Sequence, residues 1–334
     1  MSARAENGVR LVFSVDVEEE GLFSGRYAAR AEGVSNVAAL SRLEFLARDH
    51  GLPLTLLCTW PVLADAACAA LLRRWQDELG AEIGAHLHPW NTPPLADGAA
   101  TDWTPSEAMD PALLEAKLAT LLAACGEVAG RAPTSFRMGR FDLGPKVRGL
   151  LSRHGLRVDS SLVPGRHPDR HPIRYPGALP MSFLCPADPH PLAAAPGDEA
   201  RVLEAPITMV PLLPGLPRLA WAAAKLLPEG AGASLLRSFR RWAMTGVQPA
   251  WFPLASMKLA ARLHLARGGR VIHMFLHSSE LSPGHAAHLP DEAAVERVLA
   301  RIRAFIPWLG ELARPFGGLR PTTLSGLPPM EIRP

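Results

Sequence analysis

Cysteine is scarce in this sequence. Four residues among 334 are cysteines, and no two of them form a Cys-x-x-Cys pair. Three of the four lie in apolar or alanine-rich runs, where a free cysteine behaves as a small buried hydrophobic residue. The pattern excludes a paired-cysteine motif and favours a protein that works in a reducing compartment. The four cysteines are Cys58, Cys68, Cys125 and Cys185.

Long apolar runs are also missing, because no window reaches the ~18 uninterrupted apolar residues that a membrane span needs. The N-terminal stretch "MSARAENGVRLVFSVDVEEE" contains only a short apolar run, which Asp16 interrupts and three glutamates follow. Such a stretch does not have the pattern of a signal peptide. We therefore expect a protein without a transmembrane segment that is located in the cytoplasm.

A strong charge of either sign is absent as well. The formal net charge is +3, and it is spread evenly, which argues against a nucleic-acid partner. Hydrophobic residues make up 48% and charged residues 20% of the chain, a composition typical of globular proteins. The chain is therefore long enough and apolar enough to bury a large core.

What the sequence does contain is a regular alternation of short apolar runs and helical segments, which predicts parallel strands joined by right-handed crossovers. With about seven strands, we expect an α/β fold, a distorted (β/α) barrel formed by a single domain over residues 1–334. Chemistry in such folds collects at the carboxyl ends of the strands. The predicted strands cover 9–18, 52–60, 81–88, 134–140, 156–163, 201–210 and 269–277, and the predicted helices cover 37–51, 62–79, 111–129 and 291–314.

Two segments interrupt the alternation. Residues 164–200 are rich in proline and histidine and are interpreted as a long ordered loop. His167 and His171 in this loop offer a rival metal site, although loop histidines without a fixed carboxylate nearby are poorly preorganised. Residues 211–262 form a predicted helical insertion before the last strand.

The insertion interleaves arginines with Trp221, Trp242 and Trp251. This composition is compatible with docking of a lipid-linked sugar or with peripheral contact to an anionic membrane surface. A helical lid whose tryptophans pack on the barrel is the interpretation that we favour from the sequence.

Reactive side chains follow the first and third predicted strands. Asp16 and Glu18 are two residues apart, as are His86 and His88, so each pair projects from one face of its strand. Imidazoles together with a carboxylate oxygen suit Zn²⁺ or a similar divalent ion. The alternative is that Asp16 merely ends its strand while Glu18 to Glu20 are solvated.

Further candidates follow the later strands. Arg137 and Arg140 end the fourth strand, where an arginine can hold a catalytic carboxylate ionised and oriented, although Arg140 is also compatible with a solvated position. Asp159 ends the fifth strand. His277 ends the last strand and is the better catalytic candidate, whereas we expect His273 to be buried.

Five short motifs occur in the order found in the polysaccharide deacetylase family, also known as the NodB-homology family or carbohydrate esterase family four. The resemblance extends from residue 9 to about residue 315. In addition, "GAHLHPW" and "LHSSELSPG" resemble a branch labelled WalW-type. The five motifs are "FSVDVE", "EIGAHLH", "SFRMGRF", "VDSSL" and "FLHSS".

This resemblance implies a barrel enzyme with one divalent ion, Zn²⁺ first and Co²⁺, Ni²⁺ or Fe²⁺ as alternatives. It implies that Asp16 is the general base, that Arg137 orients it, and that His277 is the general acid. The metal ligands that it implies are Glu18, His86 and His88, and we assign Arg140, Trp90 and Asp159 to substrate binding.

The motifs depart from the family pattern at three places. The usual adjacent aspartates are replaced by Asp16 and Glu18, and Trp90 stands where the second motif has its second histidine. His88 or water must then supply that ligand. Met138 and Gly139 replace the proline and aromatic residue of the third motif.

The predicted function is metal-dependent hydrolysis that removes an N-acyl group, expected to be N-acetyl, from an amino sugar or a polysaccharide precursor. The partner would be an N-acylated sugar or glycan. One alternative is hydrolysis of another linear amide or of an ester at the same metal site. A second alternative, suggested by Trp90, is a glycan-binding scaffold that has lost catalysis.

Overall fold

A computed structural model describes residues 8–25, 27–95, 104–166, 181–192 and 202–328. The strands within these ranges are β1 (Val9–Val17), β2 (Leu54–Cys58), β3 (Glu82–Leu87), β4 (Ser135–Met138), β5 (Val158–Asp159), β6 (His190–Leu192), β7 (Val202–Glu204), β8 (Met209–Pro211), β9 (Met244–Gly246), β10 (Val271–His277) and β11 (Leu319–Pro321). The α-helices are α1 (Glu44–His50), α2 (Trp60–Ala64), α3 (Ala66–Leu79), α4 (Pro111–Ala129), α5 (Pro145–Arg153), α6 (Met181–Leu184), α7 (Leu216–Lys225), α8 (Glu229–Ala243), α9 (Leu254–Ala266) and α10 (Glu292–Ala313).

The main sheet has the strand order β10-β1-β2-β3-β4-β5-β7-β6, and β11 pairs with the start of β1. All neighbours along the path from β10 to β7 are parallel, while β6 is antiparallel to β7. The sheet curls into a half-barrel with helices outside it, which confirms the predicted distorted (β/α) barrel. That its residues form a single domain stays a prediction.

The gap between β7 and β10 is bridged by side-chain and backbone hydrogen bonds instead of another strand. The backbone N–H of Thr208 donates to the carbonyl of His273 at 3.0 Å, and the N–H of His273 donates to the Thr208 hydroxyl at 2.8 Å. The chain after β7 therefore lies against β10 and draws the two ends of the curled sheet together.

The two faces of β1 show why this strand can carry catalytic groups. Leu11, Phe13 and Val15 belong to the large core that the sheet shares with the surrounding helices. Ser14 and Asp16 alternate with them and point into the barrel, because successive side chains of a strand leave opposite faces. Both are buried, so the polar face of β1 requires partners inside the protein.

The predicted strand over 201–210 is wrong as one element. The chain forms β7 and then β8, which pairs with β9 in a separate two-stranded antiparallel sheet. Pro206 lies between the two strands, and because proline has no N–H, it cannot continue a ladder of hydrogen bonds.

Two predicted helices also differ from the structure. The helix over 62–79 is divided into α2 and α3 at Asp65, whose carboxylate caps α3 by accepting the N–H of Cys68. The helix over 37–51 begins as a 3₁₀ segment, Ser35–Leu43, before α1. The helix α5 was not predicted.

The helical insertion is confirmed, with α7, α8 and α9 between β8 and β10. Helices α7 and α8 pack against each other around Phe183, Ala224 and Leu236. Their contact is close at Gly232, because a Cβ atom there would lie 2.6 Å from the carbonyl oxygen of Ala224. A small buried cluster therefore fixes the two helices as a pair.

We expect Gly84→Ala in β3 to destabilise the protein by about 1–3 kcal/mol through overpacking. A Cβ atom at residue 84 would lie 2.3 Å from the Ser135 hydroxyl and 2.8 Å from a methyl group of Leu57. Denaturant unfolding measures the change. Gly149→Ala in α5 is the matched control, since its new methyl group meets nothing closer than 3.5 Å and helix propensity favours alanine. Equal stability of the two variants would contradict the close packing at Gly84.

Candidate functional site

The register of the sheet places the predicted catalytic groups beside one another. Asp16 on β1 pairs with His277 on β10, and His86 on β3 pairs with Arg137 on β4. These positions are at the carboxyl ends of parallel strands, where active sites form in barrel folds. The curl of the sheet then brings the two pairs together across β2.

A cavity of about 380 Å³ opens at this end of the barrel. Its lining combines acidic and imidazole groups at the base with aromatic and cationic groups at the rim. The lining residues that carry the argument below are Asp16, Glu18, His86, His88, Trp90, Arg140, Phe141, Arg240, Trp251 and His277.

Glu18, His86 and His88 form a cluster whose ligand atoms all lie within 4.8 Å of one another. The Nε2 atoms of the two histidines are 3.0 Å apart, and a Glu18 oxygen lies 3.6 Å from that of His86 and 3.5 Å from that of His88. The structure thus brings together all three predicted ligands. Two imidazoles and one carboxylate form a donor set that suits zinc and similar ions.

Hydrogen bonds at the far side of each ring decide which nitrogen faces the cleft. The Nδ1 atom of His86 lies 3.0 Å from the carbonyl oxygen of Arg137, and Nδ1 of His88 lies 2.9 Å from a carboxylate oxygen of Glu19. Each acceptor requires the proton on Nδ1, so both Nε2 atoms of the neutral rings present lone pairs. Two lone pairs 3.0 Å apart repel, so a proton or a metal ion must lie between them. Burial would lower the pKa of His88, but the charges of Glu19 and Glu18 raise it, so a proton competes with a metal ion for this place.

Glu19 was missed from the sequence, where only Glu18 of the three consecutive glutamates was given a role. Its side chain is buried, and its two oxygens accept hydrogen bonds from His88, Asn91 and Thr59. Burial alone would raise the pKa of Glu19, but the neighbouring His88 and these donors lower it to about 2. An anion fixed behind His88 orients the ring and increases its basicity as a ligand.

Two departures from the family motifs have a structural reason at His88. The ring of Trp90 stacks on that of His88 with centroids 4.2 Å apart, so Trp90 supports the ring. Gly139 leaves room on another side, because a Cβ atom there would lie 2.5 Å from the His88 ring. The glycine and the tryptophan together give His88 a defined position.

Asp16 is buried next to Arg137, whose Nη1 donates to Oδ1 at 2.5 Å. Burial raises the pKa of an aspartate, but here the Arg137 guanidinium, with His86 and His277, holds it below its usual value. The other carboxylate oxygen faces Nε2 of His86 at 3.8 Å and Nε2 of His277 at 3.9 Å. Asp16 is therefore an ionised base with one oxygen directed into the cleft.

Arg137 is fully buried, and each part of its guanidinium has a partner. It donates to the Ser160 carbonyl at 2.8 Å, to the Ser160 hydroxyl at 2.7 Å and to the Ser14 hydroxyl at 2.9 Å. The rings of Phe141 and Phe275 lie 5.5 Å and 5.1 Å from its centre. A charge held this way keeps its orientation, as the prediction for Arg137 requires.

Asp159 does not line the cavity, and its assignment to substrate binding finds no support. It is fully buried, and it accepts hydrogen bonds from the hydroxyl and the N–H of Ser161. Glu204, also buried, lies beside it, and burial together with the charge of Asp159 raises the pKa of Glu204 well above its ordinary value. Burial raises the pKa of Asp159 as well. Burial thus favours the protonated form of both carboxyl groups.

His277 has a carboxylate partner that the sequence analysis missed. Its Nδ1 lies 3.1 Å from Glu280, and the backbone N–H of His277 donates to the same oxygen at 2.9 Å. Burial would lower the pKa of His277, but the charges of Glu18, Glu280 and Asp16 raise it to about 9. The other oxygen of Glu280 faces Nε2 of His288 at 2.9 Å. The three-residue spacing between His277 and Glu280, typical of a capping interaction, was the available signal.

The remaining predicted residues divide between the cleft and the interior. Arg140 lines the cavity and lies over the ring of Tyr27 at 4.8 Å. Arg140 and Phe141 both have a left-handed backbone, with φ values of 59° and 56°, which is costly for residues other than glycine. His273 is buried as expected, between Ser14 and the Ala205 carbonyl, and burial lowers its pKa to about 3. His167 and His171 lie outside the described residues.

Comparisons with solved structures show the fold. A protein from Parabacteroides distasonis assigned as a glycoside hydrolase/deacetylase is 11% identical, with a TM-score of 0.57, over 95% of this chain and 70% of its own. PuuE allantoinase is 14% identical, with a TM-score of 0.50, over 96% of this chain and 89% of its own. An assigned polysaccharide deacetylase from Mycobacterium smegmatis is 17% identical, with a TM-score of 0.49, over 96% of both chains.

No protein-family model matches the sequence, and no curated protein matches it. At 11% and 14% identity, the first two structures show that the barrel is shared. The curled barrel expected from the five motifs is thus the fold of the Parabacteroides distasonis protein and of the allantoinase. Assignment to the WalW-type branch stays a prediction.

We expect His277 to remain protonated up to about pH 9 in the folded protein. The pKa of His277 is raised above its ordinary value of 6.5. The His277–Glu280 pair therefore stabilises the fold fully below pH 6.5, and this stabilisation is lost as the pH rises through about 9. In the Glu280→Gln variant, the pH midpoint of the His277 titration should fall by about one pH unit or more, because the histidine loses its carboxylate partner. Ring NMR of metal-free protein labelled at histidine measures the midpoint, and His277→Gln identifies the signal.

His154→Gln, at the end of α5, is the control and should leave the His277 midpoint unchanged. A midpoint in Glu280→Gln equal to that of the wild type would remove Glu280 from this role.

Proposed function

We propose that the protein is a metal-dependent hydrolase that removes an N-acyl group, N-acetyl first, from an amino sugar or a polysaccharide precursor. The observation that carries the proposal is the buried cluster of Glu18, His86 and His88, in which the two Nε2 atoms lie 3.0 Å apart beside a Glu18 oxygen. This donor set, in one cleft with an ionised base and a protonated histidine, is suited to amide hydrolysis.

Glu18, His86 and His88 would hold the ion. When bound, a divalent ion of this kind lowers the pKa of water and polarises the acyl carbonyl. Zn²⁺ is the first choice for two imidazoles and a carboxylate, with Co²⁺, Ni²⁺ or Fe²⁺ as alternatives.

Asp16 accepts a proton from the attacking water with the oxygen that faces the cleft, while Arg137 holds its other oxygen. The water oxygen forms a bond to the acyl carbon, and the bond between that carbon and nitrogen breaks. His277, protonated and held by Glu280, donates a proton to the leaving nitrogen. The products are a carboxylic acid and a free amine, so each proton has a source and an acceptor.

The rim of the cavity suits a sugar ring. Trp90, Phe141 and Trp251 present aromatic faces there, and Arg140 supplies hydrogen-bond donors. Aromatic residues with a few polar groups are typical of small-molecule sites. Arg140 and Trp90 are thus our candidates for substrate contact.

A second candidate function is hydrolysis of a linear amide other than an N-acyl sugar, or of an ester. One of the solved structures with this fold is an allantoinase by name, so the barrel is not restricted to polysaccharide substrates. A panel of N-acetyl amino sugars, ureides and acetyl esters separates the two candidates by their kcat/KM values.

We also propose that the protein acts in the cytoplasm.

We expect Asp16→Asn to retain about one metal ion per chain while turnover falls by about 10²–10⁴-fold, because the variant lacks the base but keeps the ligands. His86→Ala/His88→Ala should lose the metal itself. Mass spectrometry of the purified proteins measures metal content, and His154→Ala on the outer helix α5 controls for the loss of a histidine.

Full turnover by Asp16→Asn would remove Asp16 from the base role. A wild-type protein that takes up no metal, even after reloading, would favour the non-catalytic glycan-binding alternative.

We expect Glu19→Gln to weaken metal binding by about 10–100-fold, because His88 loses the anion that orients it. Competition with a chromogenic chelator measures the dissociation constant. Glu20→Gln is the matched control, since the Glu20 carboxylate accepts hydrogen bonds from Ser35 and Asn36, away from the histidines. Equal affinity of the Glu19 and Glu20 variants would contradict the orienting role.

A further inference from the structure

Exposed apolar side chains are concentrated in one part of the helical insertion. Among the described residues, eight large apolar side chains are exposed, and six of these lie within residues 212–243, which we call the helical hairpin. Leu226 is 87%, Trp242 73%, Leu219 67% and Leu213 61% exposed. Six exposed large apolar side chains within 32 residues are a concentration that favours an interaction surface. The six are Leu212, Leu213, Leu219, Leu226, Leu227 and Trp242.

The faces of α7 and α8 that are turned towards each other are buried in the contact between the two helices. Ala224, Leu236 and Phe183 form its buried cluster, and Gly232 allows α7 and α8 to approach closely. Leu219 of α7 and Leu226, which directly follows the last residue of α7, are seven residues apart and so lie on one face. That face has no core to cover within the described residues, where both side chains are more than half exposed.

The same hairpin carries positive charge almost exclusively. Its sequence contains five basic residues and one acidic residue, Glu229. Arg218, Lys225, Arg237 and Arg241 are exposed. Arginines and lysines next to exposed leucines and a tryptophan are the composition of helices that lie in the interface of an anionic bilayer.

The hairpin borders the cavity. Arg240 of α8 lines the cavity together with Trp251, and its guanidinium lies 5.7 Å from the centre of that ring. Of the three tryptophans expected to pack on the barrel, Trp251 contacts Phe275 of β10, whereas Trp221 contacts Phe183 of α6 within the hairpin's own buried cluster. Trp242, in contrast, is exposed. Arg240 thus connects the hairpin to the cleft, while the exposed Trp242 contacts only Arg241 of its own helix among the ring contacts of the described residues.

We propose that the helical hairpin docks on an anionic lipid bilayer, with its leucines and Trp242 at the acyl boundary and its basic side chains among the phosphates. Among the described residues, no helix combines the length and apolar character needed to cross a membrane, so the contact is peripheral. The proposal deepens the proposed function, since the cleft would open at a surface that carries lipid-linked sugars. The docking proposal is argued only from the exposure and charge of the helical hairpin, and not from the residues of the metal cluster.

The test is co-sedimentation of the full-length protein with vesicles. Binding is expected to vesicles of phosphatidylcholine with phosphatidylglycerol, and it should weaken about tenfold or more in pure phosphatidylcholine or at 1 M salt. Leu226→Ser/Leu227→Ser and Arg237→Gln/Arg241→Gln should each reduce partitioning about tenfold or more, through lost apolar burial and lost charge respectively.

Matched controls change the same chemistry elsewhere. Leu259→Ser removes a leucine that is 42% exposed, against 44% for Leu227. Arg73→Gln/Arg157→Gln removes two exposed charges outside the hairpin. Both controls should bind as the wild type does, and circular dichroism verifies that every variant is folded. Absent binding to anionic vesicles, or equal losses in hairpin and control variants, would overturn the proposal and leave a protein partner as the occupant of this face.

Vesicle binding requires no turnover, so the two proposals fail separately. Asp16→Asn should sediment with vesicles as the wild type does. A protein that hydrolyses soluble N-acetyl sugars without binding vesicles would refute only the docking. Vesicle binding by a protein that never takes up metal would refute only the hydrolase.

Discussion

The buried ion pair between Arg137 and Asp16 is the constraint on which the rest of the site depends. Two charges removed from water are costly unless geometry and further hydrogen bonds compensate for their lost hydration. Arg137 meets this condition through the Ser14 and Ser160 hydroxyls, the Ser160 carbonyl and two phenylalanine rings. Because these partners come from β1, β10 and the chain around β4 and β5, one guanidinium fixes their relative positions and with them the direction of the base.

The carboxyl groups around this pair are kept in different protonation states by their neighbours. Glu19 and Glu280 each face an imidazole, and each has a pKa of about 2. Asp159 and Glu204 are fully buried, and burial raises the pKa of both; the charge of Asp159 raises that of Glu204 further. The arrangement leaves Glu18 beside two imidazole lone pairs in the cleft, which is where a divalent cation would complete the balance of charge.

Most of the fold and about half of the site followed from local patterns. Alternation along β1 and β3 placed Asp16 with Glu18 and His86 with His88 correctly, since successive strand residues leave opposite faces wherever the strand lies. The break of 201–210 at Pro206 and the roles of Glu19, Glu204 and Glu280 were not predicted. The roles of Glu19 and Glu204 depend on groups that the tertiary structure brings close, as Glu19 and His88 are across 69 residues. The break at Pro206 and the contact of His277 with Glu280 over three residues, in contrast, had local signals that the sequence analysis did not use.

The sequence by itself determined the order of strands and helices, the residues at the strand ends and the cationic, leucine-rich composition of the insertion. Only the tertiary structure decided that Glu19, between Glu18 and Glu20, is buried and orients His88. It also decided that Trp251 packs while Trp242 is exposed. The physical reason is that side-chain periodicity is a property of one strand or helix, whereas burial, pKa and exposure depend on what the neighbouring elements leave uncovered.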